Sequence, residues 1–370
     1  MKRVGLIVNP IAGMGGSVGL KGTDGCVEEA LRRGAVPHAQ ERARAALEEL
    51  TDLKDPVCIV TFPGAMGGDV AAALGFSTEL LLPSRPGGET TEADTEELAG
   101  RLVELGADLL LFAGGDGTAR AVYRAAGLSI PALGIPAGVK IHSPVYAKTP
   151  RAAGLLARRF LCGAVHSVSS EEVLDIDEEL YRRELVTTRL YGYLSVPRDR
   201  TLTQSRKSPT PLGETASIES IAHQVLRDME PGVCYLVGAG TTTRGVMQLL
   251  GLSNTLIGVD AVCDRALVGS DLYGKNLLDA VAGRPAKLLV TVTGGQGFLF
   301  GRGNQQLTPE ILRYVGRENI VILATREKLF SLRGNSLLVD TGDPTLDQAL
   351  SGYYRVICGY GESVVCRVET

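Results

Sequence analysis

Asp116 lies inside the run Gly114-Gly115-Asp116-Gly117-Thr118, directly after the apolar stretch 109–113. Glycines let a backbone come close to a polyphosphate and take positive φ. A helix starting at such a loop aims its free N–H groups at the same anion. A carboxylate placed there can accept a hydroxyl proton or hold Mg²⁺ through oxygen. Thr118 can cap the helix or bond a phosphate. The competing reading is a plain strand-to-helix turn with a capping Asp, and the flanking sequence argues against it.

Other candidates lie further along the chain. Lys140, His142 and Ser143 follow the apolar run 132–135. A lysine there could neutralise charge on a transferred phosphoryl group, whereas a lone histidine is more often a structural hydrogen-bonding residue. Asp175 and Asp177 alternate along an extended segment, so both side chains would share a face able to hold ribose hydroxyls or a cation. A solvated turn is the competing reading. Gly240, Thr241, Thr242 and Thr243 follow the apolar stretch 233–237, and Asp260 comes about twenty residues on, in the manner of a dinucleotide-binding βαβ unit. The spacing Gly-x-Gly-x4-Gly departs from the usual fingerprint. Gly294, Gly295, Gln296 and Gly297, with Arg302 and Asn304, read as an anion nest beside a bidentate cation. Arg206 and Lys207 sit in a polar stretch, 198–215, of the kind that carries function or changes order.

These residues need elements to hold them. Over the first 150 residues one pattern recurs, an apolar run followed by a glycine-rich turn and a helical stretch, with runs at 4–8, 57–60, 108–113 and 132–135. Short apolar runs alternating with helices predict a buried parallel sheet, doubly wound, with ligands at the carboxyl ends of its strands. At 370 residues the chain exceeds one core and predicts two domains. The boundary falls near 150–165, giving an N-terminal α/β domain, 1–155, and a β-rich C-terminal domain, 156–370. The final segment is left free to pack on either. Within the second part, 173–177 and 185–196 read as extended, 217–229 as helix, and 256–259 as a strand ending at Asp260. Strands are also expected at 288–292, at 320–324 and through 337–368.

Composition narrows the function. The net charge is −4, aromatics make up 5% and Trp is absent, so neither a basic track nor a stacking platform for nucleic acid is present. No stretch approaches the roughly 20 apolar residues of a membrane span. The opening apolar run is too short for a signal peptide. Seven Cys without a CxxC pair suggest reduced thiols in a cytoplasmic protein, and four scattered His residues lack zinc-site spacing.

The 114–118 loop, together with Asn9-Pro10 and its glycine-rich turn, resembles the superfamily of NAD kinases, diacylglycerol kinases, sphingosine kinases and phosphofructokinases. The stretches 134–143, 240–244 and 293–306 resemble more narrowly the ATP- or polyphosphate-dependent NAD kinase group that includes AcoX-like proteins. This resemblance implies a site in a cleft between two domains. It also implies ATP or polyphosphate as donor, Mg²⁺, small nucleotide substrates and a homodimer or homotetramer. Asp116 would activate the acceptor hydroxyl, Asn9 would lie near the nucleotide, and residues 240–243 would stand for the family's Gly-Ser-Thr stretch. The Asn-Glu pair that holds the acceptor's adenosine in NAD kinases has no clean counterpart, since Glu318-Asn319 reverses the order. The expected activity is phosphorylation of the adenosine ribose 2′-hydroxyl of NAD. The alternatives are another hydroxyl acceptor or a silent NAD/ATP-binding sensor.

Overall fold

The computed structural model describes residues 1–20, 26–85, 90–139, 141–176, 188–199, 201–204, 214–255, 257–332 and 336–370. Two compact units result. One holds Met1–Met14, Thr23–Val27 and Val36–Arg206; the other holds Gly15–Gly22, Glu28–Ala35 and Lys207–Thr370.

The first unit is built on five parallel strands. They are β1 (Lys2–Val8), β2 (Val57–Thr61), β3 (Ser77–Leu80), β4 (Leu109–Gly114) and β5 (Ala132–Pro136), in the order β3-β2-β1-β4-β5. Strands β2, β4 and β5 are buried along their whole length, which explains their unbroken apolar sequences. Strand β3 escapes that pattern because it is a half-exposed edge strand reading Ser-Thr-Glu-Leu. The order reverses between β1 and β4. A crevice outside the carboxyl ends of two such strands is the usual ligand position in an open parallel sheet.

A two-stranded antiparallel sheet, β6 (Val168–Ile176) with β7 (Thr188–Pro197), belongs to this same unit. Val173, Leu194 and Val196 join the core of the five-stranded sheet, and β7 touches the strand edge through a Pro131–Ser195 bridge. Gly192 makes the approach possible, because a Cβ there would fall 2.1 Å from the Tyr123 ring. The unit that carries the 114–118 loop therefore continues well past the expected end at residue 155.

The second unit is sheet-rich. Nine strands run in the order β10-β9-β8-β11-β13-β15-β16-β14-β12. They are β8 (Cys234–Val237), β9 (Asp260–Cys263), β10 (Ala266–Gly269), β11 (Ala286–Thr291), β12 (Phe298–Phe300), β13 (Ile320–Leu323), β14 (Leu337–Val339), β15 (Gly352–Gly359) and β16 (Glu362–Glu369). Strands β8, β11, β13 and β15 are mutually parallel. Alternation along β8 sends Cys234 and Leu236 to one core, and Tyr235 and Val237 to another, so helices cover both faces. The final segment is built into this sheet through β14, β15 and β16.

Strand β9 begins at Asp260 rather than ending there, and it runs antiparallel to β8, so the 233–260 stretch is not a βαβ unit. That same antiparallel register sets Cys234 opposite Cys263, and the two form a disulfide. The expectation of reduced thiols throughout fails at this pair, because a separation of 29 residues gives no local signal. No described helix is long and apolar enough to cross a membrane.

Candidate active site

Three glycine-rich turns meet at the switch point of the first sheet. After β1, Asn9 donates its backbone N–H to Ala113 O at 3.0 Å and its side-chain N–H to Thr118 Oγ1 at 3.1 Å. After β4, Gly114 leaves the space that Thr118 fills, since a Cβ there would lie 2.2 Å from Thr118 Oγ1. After β5, the backbone amides of Ala137 and Gly138 donate to Gly114 O at 3.0 and 2.9 Å. Gly13 takes φ +78°, and a Cβ on it would strike Ala137 O at 2.0 Å. Backbone thus packs directly on backbone across all three turns.

The helix Asp116–Ala126 starts in this cradle. The N–H groups of its first turn have no acceptor within the helix and form a ready anion site. Gly115 O accepts from Ala119 N at 3.1 Å and from the Tyr146 hydroxyl at 2.5 Å, which anchors the loop from beneath.

Asp116 itself is only 4% exposed. Its Oδ2 accepts from His142 N at 2.7 Å and lies 3.1 Å from His142 Nδ1. Its Oδ1 accepts from Ser143 N at 3.1 Å and Ser143 Oγ at 2.6 Å. The Ser143 hydroxyl also accepts from Leu174 N and sits 2.7 Å from Leu174 O, so it ties β6 to the same carboxylate. His142 and Ser143 thus surround both oxygens of the carboxylate.

Asp175, at the end of β6, stands next to this group. Arg120 Nη1 donates to Asp175 Oδ2 at 2.7 Å, and Ile176 N donates to Oδ1 at 2.7 Å. Burial raises the pKa of Asp175, and the negative charge of Asp116 adds to the rise, against the pull of Ile176 N and Arg120. A raised folded-state value means that ionising Asp175 opposes folding. The stability it leaves intact at low pH is lost as pH climbs through the raised range.

These residues do not fit a resident Mg²⁺. Both Asp116 oxygens face N–H and O–H donors, Asp175 is bound to Arg120, and no metal-holding cluster of three or more His, Cys, Asp or Glu occurs among the described residues. A hard cation needs free oxygen lone pairs, and the expected Mg²⁺ role of Asp116 does not hold in this arrangement.

The second unit gathers its own cluster at the carboxyl ends of β8, β11 and β13. The helix Thr241–Leu249 starts after Gly240, whose φ of +142° places it where a Cβ would meet Thr291 Cγ2 at 2.1 Å. Thr243 Oγ1 donates to Gly240 O at 2.9 Å and caps the turn. Lys328 Nζ donates to Thr241 Oγ1 at 3.2 Å and to Thr242 Oγ1 at 3.0 Å. Lys328 is delivered by the helix Arg326–Ser331, whose cap Thr325 donates to Glu214 Oε1 at 2.8 Å.

Other expected ligand residues are occupied by the fold. Asp260 accepts from Thr255 N at 2.7 Å, Thr255 Oγ1 at 2.6 Å and Asp271 N at 3.0 Å, bracing a loop rather than facing a ligand. In the 293–297 turn, Gln296 N and Gly297 N both donate to Thr293 O, so these amides do not form an open nest. Arg302 lies 3.6 Å from Asp340 and 4.9 Å over the Phe298 ring. Asn304 bonds Gly301 N and Leu299 O. Both side chains hold the β12 connection together.

The ATP-NAD kinase N-terminal domain family matches residues 4–165, and the ATP-NAD kinase C-terminal domain family matches residues 231–368. The chain belongs to the NAD kinase superfamily. It is a kinase of that superfamily, with both of its characteristic domains. No curated protein and no solved structure gives a match.

Within this NAD kinase family chain, the residues expected at the phosphate loop come together: Asn9, Gly114, Gly115, Asp116, Gly117 and Thr118 share the switch point with Asp175. Lys140, Asp177, Arg206 and Lys207 lie outside the described residues. Glu318-Asn319 forms a short turn before β13, at the opposite end of that strand from Lys328. Sequence reasoning did not single out Lys328, 87 residues from Thr241, or Ser143 as a carboxylate partner. A lone lysine on a short helix gives no local signal.

Proposed function

We propose that the protein transfers a phosphoryl group from ATP or polyphosphate to the adenosine ribose 2′-hydroxyl of NAD, giving NADP. The observation that carries this reading is the cradle at the β1/β4 switch point, where a glycine loop and a helix N-terminus converge beside the buried Asp116. Phosphoryl transfer asks chiefly for positioning and charge stabilisation. The amides of residues 116–118 would hold phosphate oxygens, and Asp116 would be the base at the acceptor hydroxyl or its positioner. Mg²⁺ would enter with the donor, carried on its phosphates. The protein would act in the cytoplasm as a homodimer or homotetramer.

Incubation with ATP or polyphosphate, Mg²⁺ and a panel of hydroxyl acceptors, read by mass spectrometry, tests the acceptor. NADP as the dominant product is expected. A phosphorylated nucleoside or polyol with no NADP would overturn it in favour of another acceptor, a reading kept open by the missing Asn-Glu pair. Nucleotide binding with no product of any kind would mark a sensor.

In the second unit, residues 240–243 would contact nucleotide phosphate, with Lys328 adding a positive charge beside the hydroxyls of Thr241 and Thr242. A hydrogen bond to a charged group contributes about 1.5–3 kcal/mol. Lys328→Met is therefore expected to weaken nucleotide binding by roughly ten- to a hundredfold in calorimetry. Unchanged affinity would remove Lys328 from the site.

A further inference from the structure

We propose that Asp175 binds the hydroxyl next to the reacting one, so that the site selects a vicinal diol as acceptor, and that Arg120 is the positioning residue that holds the Asp175 carboxylate in place. This assignment rests on the kinase reading above and adds what would select the acceptor.

Asp175 is tied to the surroundings of Asp116 from two sides. Asp116 and Arg120 are four residues apart on the helix Asp116–Ala126, so they share one face, a turn apart. Side chains on a helix tilt toward its N-terminus, which carries Arg120 back toward the 114–118 loop. There its Nη1 donates to Asp175 Oδ2 at 2.7 Å. From the other side, Ser143 Oγ donates to Asp116 Oδ1 at 2.6 Å and accepts from Leu174 N at 2.9 Å, and Asp175 is the next residue along β6. Burial raises the Asp175 pKa and the charge of Asp116 raises it further, so the two carboxylates lie within electrostatic reach of each other.

Asp175 also has acceptor capacity to offer. Among the described residues, Oδ2 accepts from Arg120 Nη1 and Oδ1 from Ile176 N. A carboxylate oxygen carries a second lone pair, and the Asp175 side chain is 20% exposed, so it is not sealed from a ligand. Arg120 is itself fixed, with its guanidinium 4.9 Å over the Tyr191 ring and 3.7 Å from Glu92. The carboxylate is therefore oriented before an acceptor arrives, which lowers the ordering cost of binding. Two neighbouring carboxylates suit two neighbouring hydroxyls. With the ribose 2′-hydroxyl at Asp116, the 3′-hydroxyl falls to Asp175. A site built to bond a hydroxyl rejects the analogue that lacks it.

The test compares NAD with its analogue lacking the 3′-hydroxyl of the adenosine ribose, each as acceptor with ATP and Mg²⁺. A hydrogen bond to a charged group makes the expected wild-type kcat/KM roughly ten- to a hundredfold higher for NAD. Asp175→Ala should bring that ratio close to parity, and Arg120→Gln should narrow it as well. A general loss of stability would leave the ratio alone, because both acceptors meet the same protein. Asp175→Asn, which removes the charge and keeps the shape, should also narrow the ratio and serves if the alanine variant fails to fold. Equal kcat/KM in the wild type, a result that needs no variant, overturns the proposal and leaves the kinase reading standing. So does a preference that survives unchanged without the Asp175 carboxylate. Absence of transfer to NAD by the wild type would instead defeat the reading of NAD as acceptor, and the proposal with it.

Discussion

Replacing Asp116 with Asn lowers the melting temperature and stops turnover together. The carboxylate accepts from His142 N, Ser143 N and Ser143 Oγ, and it lies 3.1 Å from His142 Nδ1. An Asn side chain keeps one acceptor oxygen and turns an NH₂ group toward donors that it cannot satisfy. Each buried donor left without a partner costs about 1–3 kcal/mol. Two such donors put the loss at about 2–6 kcal/mol. For a unit of this size that corresponds to a fall of roughly 5–20 °C in thermal unfolding. Serine at 116 would leave still more donors open and should fall further. An Asn variant as stable as the wild type, and as active, would show that the turn after β5 does not depend on this carboxylate.

Gly138→Ala separates the three turns and removes activity by displacement rather than by chemistry. A Cβ on Gly138 would lie 2.5 Å from Gly115 Cα and 3.2 Å from Gly115 N. Both neighbours are backbone, so no side chain can swing aside. Overpacking of this kind costs about 1–3 kcal/mol. A shift of about 1 Å at a positioned reacting group can cost roughly a hundredfold in rate. Gly100→Ala is the matched control. Gly100 lies within the helix Glu92–Glu104, and a Cβ there meets nothing within 4 Å. That substitution should stabilise the protein by about 0.5–1 kcal/mol, because Ala forms helix better than Gly. Equal effects at positions 100 and 138 would mean that the close approach of the two turns is unimportant.

The legible parts of the molecule were those with a local signature. Strands β1, β2, β4 and β5 announce themselves as apolar runs because both faces are buried, and the 114–118 loop announces itself because only glycines permit the contacts that Gly114 and Gly115 make. Strand β3 is an exposed edge and lacks that run. The β6–β7 pair reads as extended in the sequence, but nothing local shows that Val173 and Leu194 complete the first core rather than belong to the second domain. Direction is equally invisible: residues 233–263 suit a parallel or an antiparallel return, and the antiparallel one decides both the place of Asp260 and the Cys234–Cys263 bond. Asp116 was recognised by type and spacing, whereas its partners His142 and Ser143 are set by how the turn after β5 folds over it. Arg302 looked like a phosphate ligand until its counter-charge Asp340, far along the chain, was in place.

Phosphorus NMR of the protein with NAD and ATP, repeated with polyphosphate, follows the transferred group itself. A new phosphomonoester signal growing as the donor's terminal phosphate disappears, at a rate proportional to enzyme concentration and lost in Asp116→Asn, is the predicted outcome. Donor spectra that stay unchanged in both experiments while calorimetry shows NAD bound would contradict phosphoryl transfer at this loop.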